Sequence, residues 1–489
     1  MRQYTVRFVR ENIEISVQKG TTLLRAEMDA GLRPDAPCGG RGTCGKCRVR
    51  VNGKPVLACQ TIISSDLTVE TAAGEQTEIL TSGTLSRRCP DGTDRYALAY
   101  DVGTTTVVCY LLDGRTGETL AKRGMLNPQI GFGADVISRI QLVTETGTTE
   151  LRDAIRASMT ELARQTAAEA GIRPEEITAV SAVGNTAMHH LMLGIDPKPL
   201  TTPPYMPNVA HALELPADDI LPTAKGSVLR VLPNIAGFVG ADTVGCLVST
   251  RFDENRELTL LIDIGTNGEM VLGDRERRLA CSTAAGPAFE GAKIRCGMRG
   301  AAGAIDHVWI ENGEVRWHVI GEGTAIGLCG SGLLDLVAAL LDLGVIRENG
   351  RMVGTKEYRL GDTGVILTQK DVREVQLAKA AIRAGIDLMA GRLGFRTEQI
   401  CRVLLAGAFG NYLNPASACR IGMIPPCLRD RITGIGNAAG EGAAQCALSR
   451  EAFDYSKRLA ADTEFLELAS LPQFQNAYIG RLDFPEKTE

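Results

Sequence analysis

Apolar and polar residues alternate along residues 4–17, and the alternation is interrupted once in the middle by a polar stretch. A period of two is typical of half-buried strands, so this part predicts a β-hairpin. Residues 21–30 change to a helical spacing, opened by a threonine and closed by a glycine. Short alternating runs return at 48–51 and 67–70. The chain is therefore expected to open with a small unit of strands around one helix.

Four cysteines lie between and beside these predicted elements. Cys38, Cys44, Cys47 and Cys59 are separated by five, two and eleven residues, and glycines fill the first gaps. Three thiolates on one tight loop and a fourth from a later segment form the ligand pattern of a plant-type [2Fe–2S] cluster. Glycine also reaches the backbone angles that turn N–H groups toward a cluster. We therefore predict that these four cysteines are the cluster ligands.

Two other interpretations of the cysteines stay open. The first gap is one residue longer than the usual four of plant-type clusters. A zinc ribbon uses two short Cys-x-x-Cys hooks, and only one is present here, so zinc is disfavoured. The remaining interpretation is four free thiols or a disulfide pair.

Two apolar stretches farther along the chain follow one pattern of strand, polar turn and strand. Residues 96–108 and 258–271 each place Asp-x-Gly-Thr between apolar runs, at an offset of 162 residues. Gly and Thr at a hairpin tip present N–H groups and hydroxyls to phosphate oxygens, and Asp can hold Mg²⁺ through water. Two such hairpins facing each other would grip one nucleotide triphosphate. The candidate turn residues are Asp101, Gly103, Thr104, Thr105, Thr106, Asp263, Gly265, Thr266 and Asn267.

This repeated turn resembles the pattern of the actin, sugar kinase and Hsp70 superfamily. The resemblance implies a duplicated ribonuclease-H-like ATPase core with a further adenosine-binding turn. Residues 402–412 match that turn, and Gly407 and Gly410 would let the backbone approach a nucleoside closely. A helix predicted over 368–390, opened by a capping box, carries Lys379. Lys379 either reaches the ribose or base, or is a solvated helix lysine.

The superfamily also implies two segments that cross between its halves and a catalytic carboxylate. Residues 182–188 and 436–443 are rich in small side chains and are the candidate crossing segments. Asp242 follows Gly-Ala where a helix opens, as the catalytic carboxylate does in kinases of this superfamily. It could orient or deprotonate the attacking water, or it could be a helix N-cap; both can be true.

The amino-acid composition argues against some classes of binding partner. The net charge is −5 with a pI of about 5.8, which argues against nucleic acid and anionic membranes as partners. No apolar run reaches the length of a membrane span, and the first residues lack the apolar core of a signal peptide. The 14 cysteines are mostly scattered in apolar runs, as expected for free thiols in a reducing cytoplasm.

These signals predict a multidomain chain that combines α+β and α/β parts. A β-grasp [2Fe–2S] ferredoxin would occupy residues 1–80 and a polar linker residues 81–95. Subdomain I of the ATPase would span 96–254. Subdomain II would span 255–489, with a C-terminal return to subdomain I.

The chain as a whole resembles the ATP-dependent reductive activators of corrinoid proteins. The motifs that carry this resemblance are the cysteine pattern and the segments 101–106, 263–269, 285–291 and 406–410. The resemblance implies that an inactive Co(II) corrinoid protein of a methyltransferase system is returned to Co(I). Better-known members have more sequence between ferredoxin and ATPase, so partner choice or dimer geometry could differ here.

The resemblance also implies the cofactors and partners. They are a [2Fe–2S] cluster, ATP and Mg²⁺, with an upstream low-potential electron donor and a homodimer as one form of assembly. Plant-type clusters lie near about −400 mV. Passing an electron to an acceptor about 120 mV lower costs roughly 2.8 kcal/mol. A nucleotide that binds two domain arrangements with different affinity can supply that energy.

Three rival functions remain. The chain could activate another low-potential enzyme, such as a 2-hydroxyacyl-CoA dehydratase, whose activators hold a [4Fe–4S] cluster between two subunits. It could be a small-molecule kinase with a redox domain, which would release a phosphorylated product. It could also be a nucleotide-gated scaffold without partner-stimulated turnover.

Overall fold

The computed structural model describes most of the chain. The described residues are 3–32, 34, 36, 40, 42, 47–71, 87–92, 94–133, 135–265, 267–291, 293–321 and 323–486, without the side chains of 287, 408, 409 and 411. None of the helices in this part of the chain has the length and hydropathy that crossing a membrane requires.

The N-terminal unit is a five-stranded sheet with one helix. Its elements are β1 (Gln3–Phe8), β2 (Ile13–Gln18), α1 (Leu23–Asp29), β3 (Arg48–Val51), β4 (Lys54–Leu57) and β5 (Leu67–Glu70). The order β2-β1-β5-β3-β4 places β1 and β5 side by side and parallel. The predicted hairpin and helix are confirmed, and the Thr22 hydroxyl caps α1 by accepting from the Arg25 N–H.

The next part of the chain forms a six-stranded sheet of order β10-β11-β9-β6-β7-β8. Its elements are β6 (Tyr96–Val102), β7 (Thr106–Asp113), β8 (Thr119–Leu126), α2 (Val136–Thr146), α3 (Glu150–Glu169), β9 (Ile177–Gly184), α4 (Thr186–Leu193), β10 (Leu213–Pro216), β11 (Val228–Val231) and α5 (Ala241–Ser249). The strands β6, β7 and β8 form an antiparallel meander, and β9 pairs with β6 in parallel.

The third part repeats that arrangement in a sheet of order β21-β20-β12-β13-β14-β22. Its first elements are β12 (Thr259–Ile264), β13 (Gly268–Gly273), β14 (Arg278–Thr283), β15 (Ala304–Glu311), β16 (Glu314–Val319), β17 (Gly327–Leu328), α6 (Gly330–Asp342), β18 (Glu357–Arg359), β19 (Ile366–Thr368) and α7 (Gln369–Leu393). The remaining elements are β20 (Arg402–Ala406), α8 (Gly407–Tyr412), α9 (Pro415–Arg420), β21 (Ile432–Gly436), α10 (Ala438–Leu448), α11 (Arg450–Ala461), β22 (Thr463–Phe465) and α12 (Phe474–Ile479).

The two six-stranded sheets share one topology. In each, an antiparallel three-stranded meander is joined by a parallel strand, which is β9 in the first sheet and β20 in the second. The turns between β6 and β7 and between β12 and β13 are the two Asp-x-Gly-Thr segments. The predicted fold class, a ferredoxin-like unit followed by a duplicated ribonuclease-H-like core, is therefore confirmed.

Two helices cross between the sheets at glycines. A Cβ atom on Gly442 of α10 would lie 2.0 Å from the Gly245 carbonyl oxygen of α5. Residues 436–443 thus form one crossing segment, as predicted, but their partner is α5. The other predicted segment, 182–188, lies beside the start of α5: a Cβ atom on Gly240 would be 2.5 Å from Asn185 Cα, and one on Gly184 would be 2.5 Å from the Val102 carbonyl oxygen of β6.

Candidate functional site

A cavity of about 280 Å³ lies between the two Asp-x-Gly-Thr turns. Residues from both sheets and from α5 and α8 line it. Of the residues predicted from sequence, those that line it are Asp101, Gly103, Thr104, Thr105, Thr106, Asp242, Asp263, Gly265, Asn267 and Gly407. The repeat therefore places two hairpin tips on opposite sides of one cavity.

Side chains from distant segments hold the first turn from the cavity side. The Asn437 amide donates to Asp101 Oδ2 at 2.8 Å, and the Asn185 amide donates to Thr104 Oγ1 at 2.8 Å. The Thr105 hydroxyl donates to Glu290 Oε2 at 3.1 Å. These three contacts fix the polar groups of the turn before any ligand is bound, which lowers the entropy lost on binding.

The backbone carbonyls of the same turn are also held. The Asn127 amide donates to the Gly103 carbonyl at 2.8 Å, and the Asn127 N–H donates to the Thr105 carbonyl at 2.9 Å. The fully buried Arg139 donates to the Thr104 carbonyl at 2.7 Å. Burial lowers the pKa of Arg139 to about 10, so its guanidinium stays charged at neutral pH.

The second turn approaches the cavity from the other sheet. The Gly265 N–H donates to the Asn267 carbonyl at 2.9 Å, which closes the hairpin tip, and the predicted Thr266 lies outside the described residues. Gly407 has a φ of +84° where β20 turns into α8. A Cβ atom on Gly407 would lie 2.7 Å from Asp263 Oδ1, so only glycine leaves room for that carboxylate.

Four half-buried carboxylates line this cavity, and their surroundings shift their pKa values upward. Burial raises the pKa of Asp101 to about 6. Burial, with repulsion between neighbouring carboxylates, raises the pKa of Asp242 and of Asp263 to about 7. The same two causes raise the pKa of Glu269 well above its usual value. Carboxylates that repel one another this closely in an apolar setting are stabilised when a cation binds among them.

Asp242 lies at the second position of α5 and does not cap it. The N-cap is Gly240, and the Asp242 carboxylate accepts from the Thr243 N–H at 2.8 Å. The N-cap interpretation from sequence is therefore wrong. The carboxylate is left directed to the cavity, as a residue that orients water would be.

Two of the predicted cluster ligands lie side by side in the N-terminal unit. Cys47 precedes β3, Cys59 lies on a 3₁₀ turn after β4, and their Sγ atoms are 3.3 Å apart and buried, without a disulfide bond. Gly40 and Gly42 have φ values of +82° and +74°, as expected for a loop that wraps a cluster. Cys38 and Cys44 lie outside the described residues.

Comparison with known proteins agrees with this combination of sites. Residues 7–73 match a [2Fe–2S] iron–sulfur cluster binding domain, residues 96–255 match the RACo middle region, and residues 257–489 match the C-terminal domain of RACo, the ASKHA domain. A solved reductive activator for corrinoid, iron–sulfur protein is 30% identical, with a TM-score of 0.73 over 99% of this chain and 98% of that one. The chain belongs to the family of reductive activators of corrinoid proteins.

Two characterised relatives support the same membership. The corrinoid activation enzyme RamQ of Eubacterium limosum is 37% identical over 413 residues, which are 78% of this chain and 69% of RamQ. The [Co(II) methylated amine-specific corrinoid protein] reductase of Methanosarcina barkeri is 27% identical over 432 residues, which are 80% of this chain and 77% of the reductase. The activator is thus an ATP-dependent electron-transfer enzyme whose cofactors are a [2Fe–2S] cluster and ATP.

The residues of this activator fit those groups. Two buried cysteines whose sulfur atoms lie 3.3 Å apart, too far for a disulfide bond between them, are suited to bind iron. The carboxylates of the cavity are hard oxygen donors of the kind that Mg²⁺ prefers. In the described part of the chain, no three His, Cys, Asp or Glu side chains are grouped closely enough to hold a metal ion. The carboxylates would therefore hold Mg²⁺ through its water shell and nucleotide phosphates.

Two predicted residues of the activator lie elsewhere. Gly410 packs against Leu405 of β20, 3.1 Å from where its Cβ would be. Lys379 is buried and is not among the described residues that line the cavity. Its amine donates to the Asp483 carbonyl and lies 5.1 Å from the centre of the Phe484 ring, so it is not solvated either.

Sequence reasoning missed several residues at the cavity. Asn185 and Asn437 follow strands at the points where helices begin, and each caps its helix while donating to a turn residue. Glu269 stands three residues after the second turn's threonine and lines the cavity. The sequence places both asparagines just before helices rich in small residues. That pattern was interpreted only as a sign that two segments cross closely.

Proposed function

We propose that this chain uses ATP to pass one electron to an inactive Co(II) corrinoid protein, which restores the Co(I) form that accepts methyl groups. The observation that carries the proposal is one chain that joins paired thiols on a ferredoxin-like unit to a cavity between two phosphate turns. The balance is one electron lost by the reduced chain and one gained by Co(II), with ATP and water converted to ADP and phosphate.

The residues of the cavity have distinct roles in this proposal. Gly103, Thr104 and Thr105 present N–H and hydroxyl groups to the phosphates from one side, and Gly265, Thr266 and Asn267 do so from the other. Asp101 and Asp263 hold hydrated Mg²⁺. Asp242 orients the attacking water or takes its proton, for which a pKa of about 7 is suited. Gly407 lets the nucleoside side of the ligand come close.

The proposed cluster ligands are Cys38, Cys44, Cys47 and Cys59. When bound, a cluster of this type supplies a one-electron donor at a potential near about −400 mV. The burial of Cys47 and Cys59 keeps water from the sulfur atoms of these two residues. Reduction of the chain requires an upstream low-potential donor, and we place the protein in the cytoplasm as a single chain or a homodimer.

The proposed domain boundaries are 1–80 for the ferredoxin, 81–95 for the linker, 96–254 for subdomain I and 255–489 for subdomain II. The return of the C-terminal part to subdomain I is supported by α10, which packs on β6 and β9. The Ser181 hydroxyl of β9 donates to the Ala443 carbonyl of that helix.

The test is an anaerobic assay with dithionite- or Ti(III)-reduced protein and a Co(II) corrinoid protein of a methyltransferase system. Co(I) absorbance is followed with and without MgATP. We expect Co(I) only with MgATP, and its loss in Cys59→Ser and Asp263→Asn but not in Cys401→Ser, which changes an exposed cysteine. If ATP is hydrolysed while Co(I) never forms, the acceptor is wrong, and another low-potential enzyme or a kinase substrate takes its place.

A further inference from the structure

A bidentate ion pair joins the segment just before β6 to α10. Arg88 Nε and Nη2 donate to the two carboxylate oxygens of Glu441 at 2.8 and 2.7 Å. The two side chains are only 18% and 15% exposed. Arg88 Nη1 also donates to the Gly117 carbonyl and the Thr119 hydroxyl at 2.8 Å each. A bidentate, partly buried ion pair of this kind fixes the orientation of the two side chains as well as the distance between them.

A second fastening lies three residues farther on, at the other end of the same helix. The Asp91 N–H donates to the carbonyl of Leu448, the last residue of α10. The Asp91 carboxylate accepts from the Ser449 hydroxyl at 2.9 Å and from the Arg450 N–H at 2.6 Å. Residues 87–92 therefore form a strap that lies along α10, and the ferredoxin-like unit is tethered to this strap through residues 71–86.

The same helix begins at the nucleotide cavity. Its N-cap Asn437 is the residue that donates to Asp101. Almost one turn farther along α10, Gly440 packs closely against Tyr110, since a Cβ atom on Gly440 would lie 2.9 Å from the Tyr110 hydroxyl. Glu441 is the residue that follows. The crossing at Gly442 joins α10 to α5, the helix that carries Asp242. A continuous series of contacts, through α5 and α10, therefore connects the cavity carboxylates with the strap.

We infer that Arg88 and Glu441 are positioning residues that make the placement of the ferredoxin tether depend on the occupant of the nucleotide cavity. The inference rests on the proposed function for its role in electron transfer. Mg²⁺ drawn to Asp101 would compete with the hydrogen bond from Asn437, the N-cap of α10, and α10 crosses at Gly442 the helix α5 that carries Asp242. A shift of α10 displaces the strap through Glu441, and coupling of this kind is reciprocal.

The first test measures Co(I) formed per ATP hydrolysed in Glu441→Gln and in Arg88→Gln. We expect basal ATP hydrolysis to stay within about twofold, while Co(I) per ATP falls about 5- to 150-fold, the usual range of a coupling between two sites. The matched control is Arg95→Gln, which removes an exposed ion pair to Glu176 from the same part of the chain. An unchanged ratio of Co(I) to ATP in both variants would overturn the inference.

The charge-swapped protein with Arg88→Glu and Glu441→Arg separates coupling from folding. If the pair acts by its own contact, the swap regains most of the Co(I) yield that Glu441→Gln loses. If the swap folds, binds ATP and stays as poor as the single variants, the contact is not what transmits the signal and the inference fails.

Hydrogen exchange tests the inference without a corrinoid protein. The Asp91 amide is protected by the Leu448 carbonyl, and its exchange rate is measured in the full chain with and without a non-hydrolysable ATP analogue and Mg²⁺. We expect the rate to change in wild type and to be insensitive to nucleotide in Glu441→Gln. A wild-type rate that ignores nucleotide contradicts the inference, even if Co(I) forms. A nucleotide response without any Co(I) contradicts only the proposed function.

Discussion

The two Asp-x-Gly-Thr turns share a sequence pattern and a topology, yet the protein holds their aspartates differently. Asp101 accepts a hydrogen bond of 2.8 Å from the Asn437 amide. Asp263 meets the Cys246 thiol at 3.9 Å and the backbone of Gly407. The pKa of Asp101 is raised by burial only to about 6, because that amide favours the charged form. The pKa of Asp263 is raised to about 7 by burial and by the charge of Asp101.

The repeat therefore sets the positions of the two carboxylates but not their pKa values. The first aspartate is already paired, so it acts as a fixed part of its turn. Among the contacts of the described residues, Asp263 has no comparable amide donor. A bound cation would therefore reduce the electrostatic repulsion at Asp263 more than at Asp101. We expect the two turns to contribute unequally to ATP hydrolysis, and four predictions test that asymmetry.

The largest effect is expected at the second turn. Asp263→Asn should lower kcat for ATP hydrolysis about 10²- to 10³-fold, because a proposed holder of Mg²⁺, the ion that would neutralise charge in the transition state, is lost. Asp101→Asn should lower it less, since its partner Asn437 remains to bind a neutral side chain. Steady-state phosphate release at saturating Mg²⁺ measures both. Equal losses would mean that the two turns are equivalent, against this account.

The next effect concerns the support behind the first turn. Arg139→Gln removes a charged hydrogen bond to the Thr104 carbonyl, which contributes about 1.5 to 3 kcal/mol. We expect KM for ATP to rise roughly tenfold with a smaller change in kcat. Arg139→Lys should recover part of the loss, and Arg164→Gln on the exposed face of α3 should change nothing. A fall in kcat with no change in KM would show that Arg139 does not hold the first turn in the arrangement that binds ATP.

A smaller effect is expected on stability, and its sign depends on pH. A carboxyl whose pKa is raised in the folded state contributes stability below its unfolded pKa of about 4, which is lost as pH rises through about 7. Asp263→Asn should therefore stabilise the nucleotide-free protein at pH 8 by on the order of 4 kcal/mol, since the pKa is raised by about three units and each unit corresponds to about 1.4 kcal/mol. Urea denaturation measures it; no gain at pH 8 relative to pH 5 would contradict the assignment.

The smallest effect isolates the Asn437 contact. Its hydrogen bond lowers the pKa of Asp101, so Asn437→Ala should raise that pKa above about 6. The acid limb of the pH profile of kcat/KM for ATP should then move to higher pH. The control is Arg164→Gln on the exposed face of α3, which should leave the limb in place. A shift to lower pH would reverse the role given to this amide.

Local patterns in the sequence were enough to find the hairpins, the repeated turns and the capping box of α7. The box forms as predicted, with Asp371 accepting from the Thr368 N–H at 2.8 Å, and the helix continues to Leu393, just beyond the predicted end. Each of these features is encoded within a few neighbouring residues, which is why periodicity and capping chemistry could reveal them.

Contacts between distant segments could not be read in the same way. Asn437 and Asp101 are 336 residues apart, and nothing in the local sequence pairs them. The small residues of α10 indicated a close crossing, but its partner α5 was identified only by the approach of Gly442 to Gly245. Lys379 lies on a helix whose pattern does not reveal that the segment around Asp483 covers it.

The most direct test of the central claim counts electrons. Fully reduced protein, freed of excess reductant, is mixed with a Co(II) corrinoid protein, and Co(I) and phosphate are followed together after MgATP is added. We predict one electron lost from the chain for each Co(I) formed, only with MgATP, and no Co(I) from Asp263→Asn. Co(I) that appears at the same rate without nucleotide, or that forms while the chain keeps its electron, would contradict the coupling of the two sites.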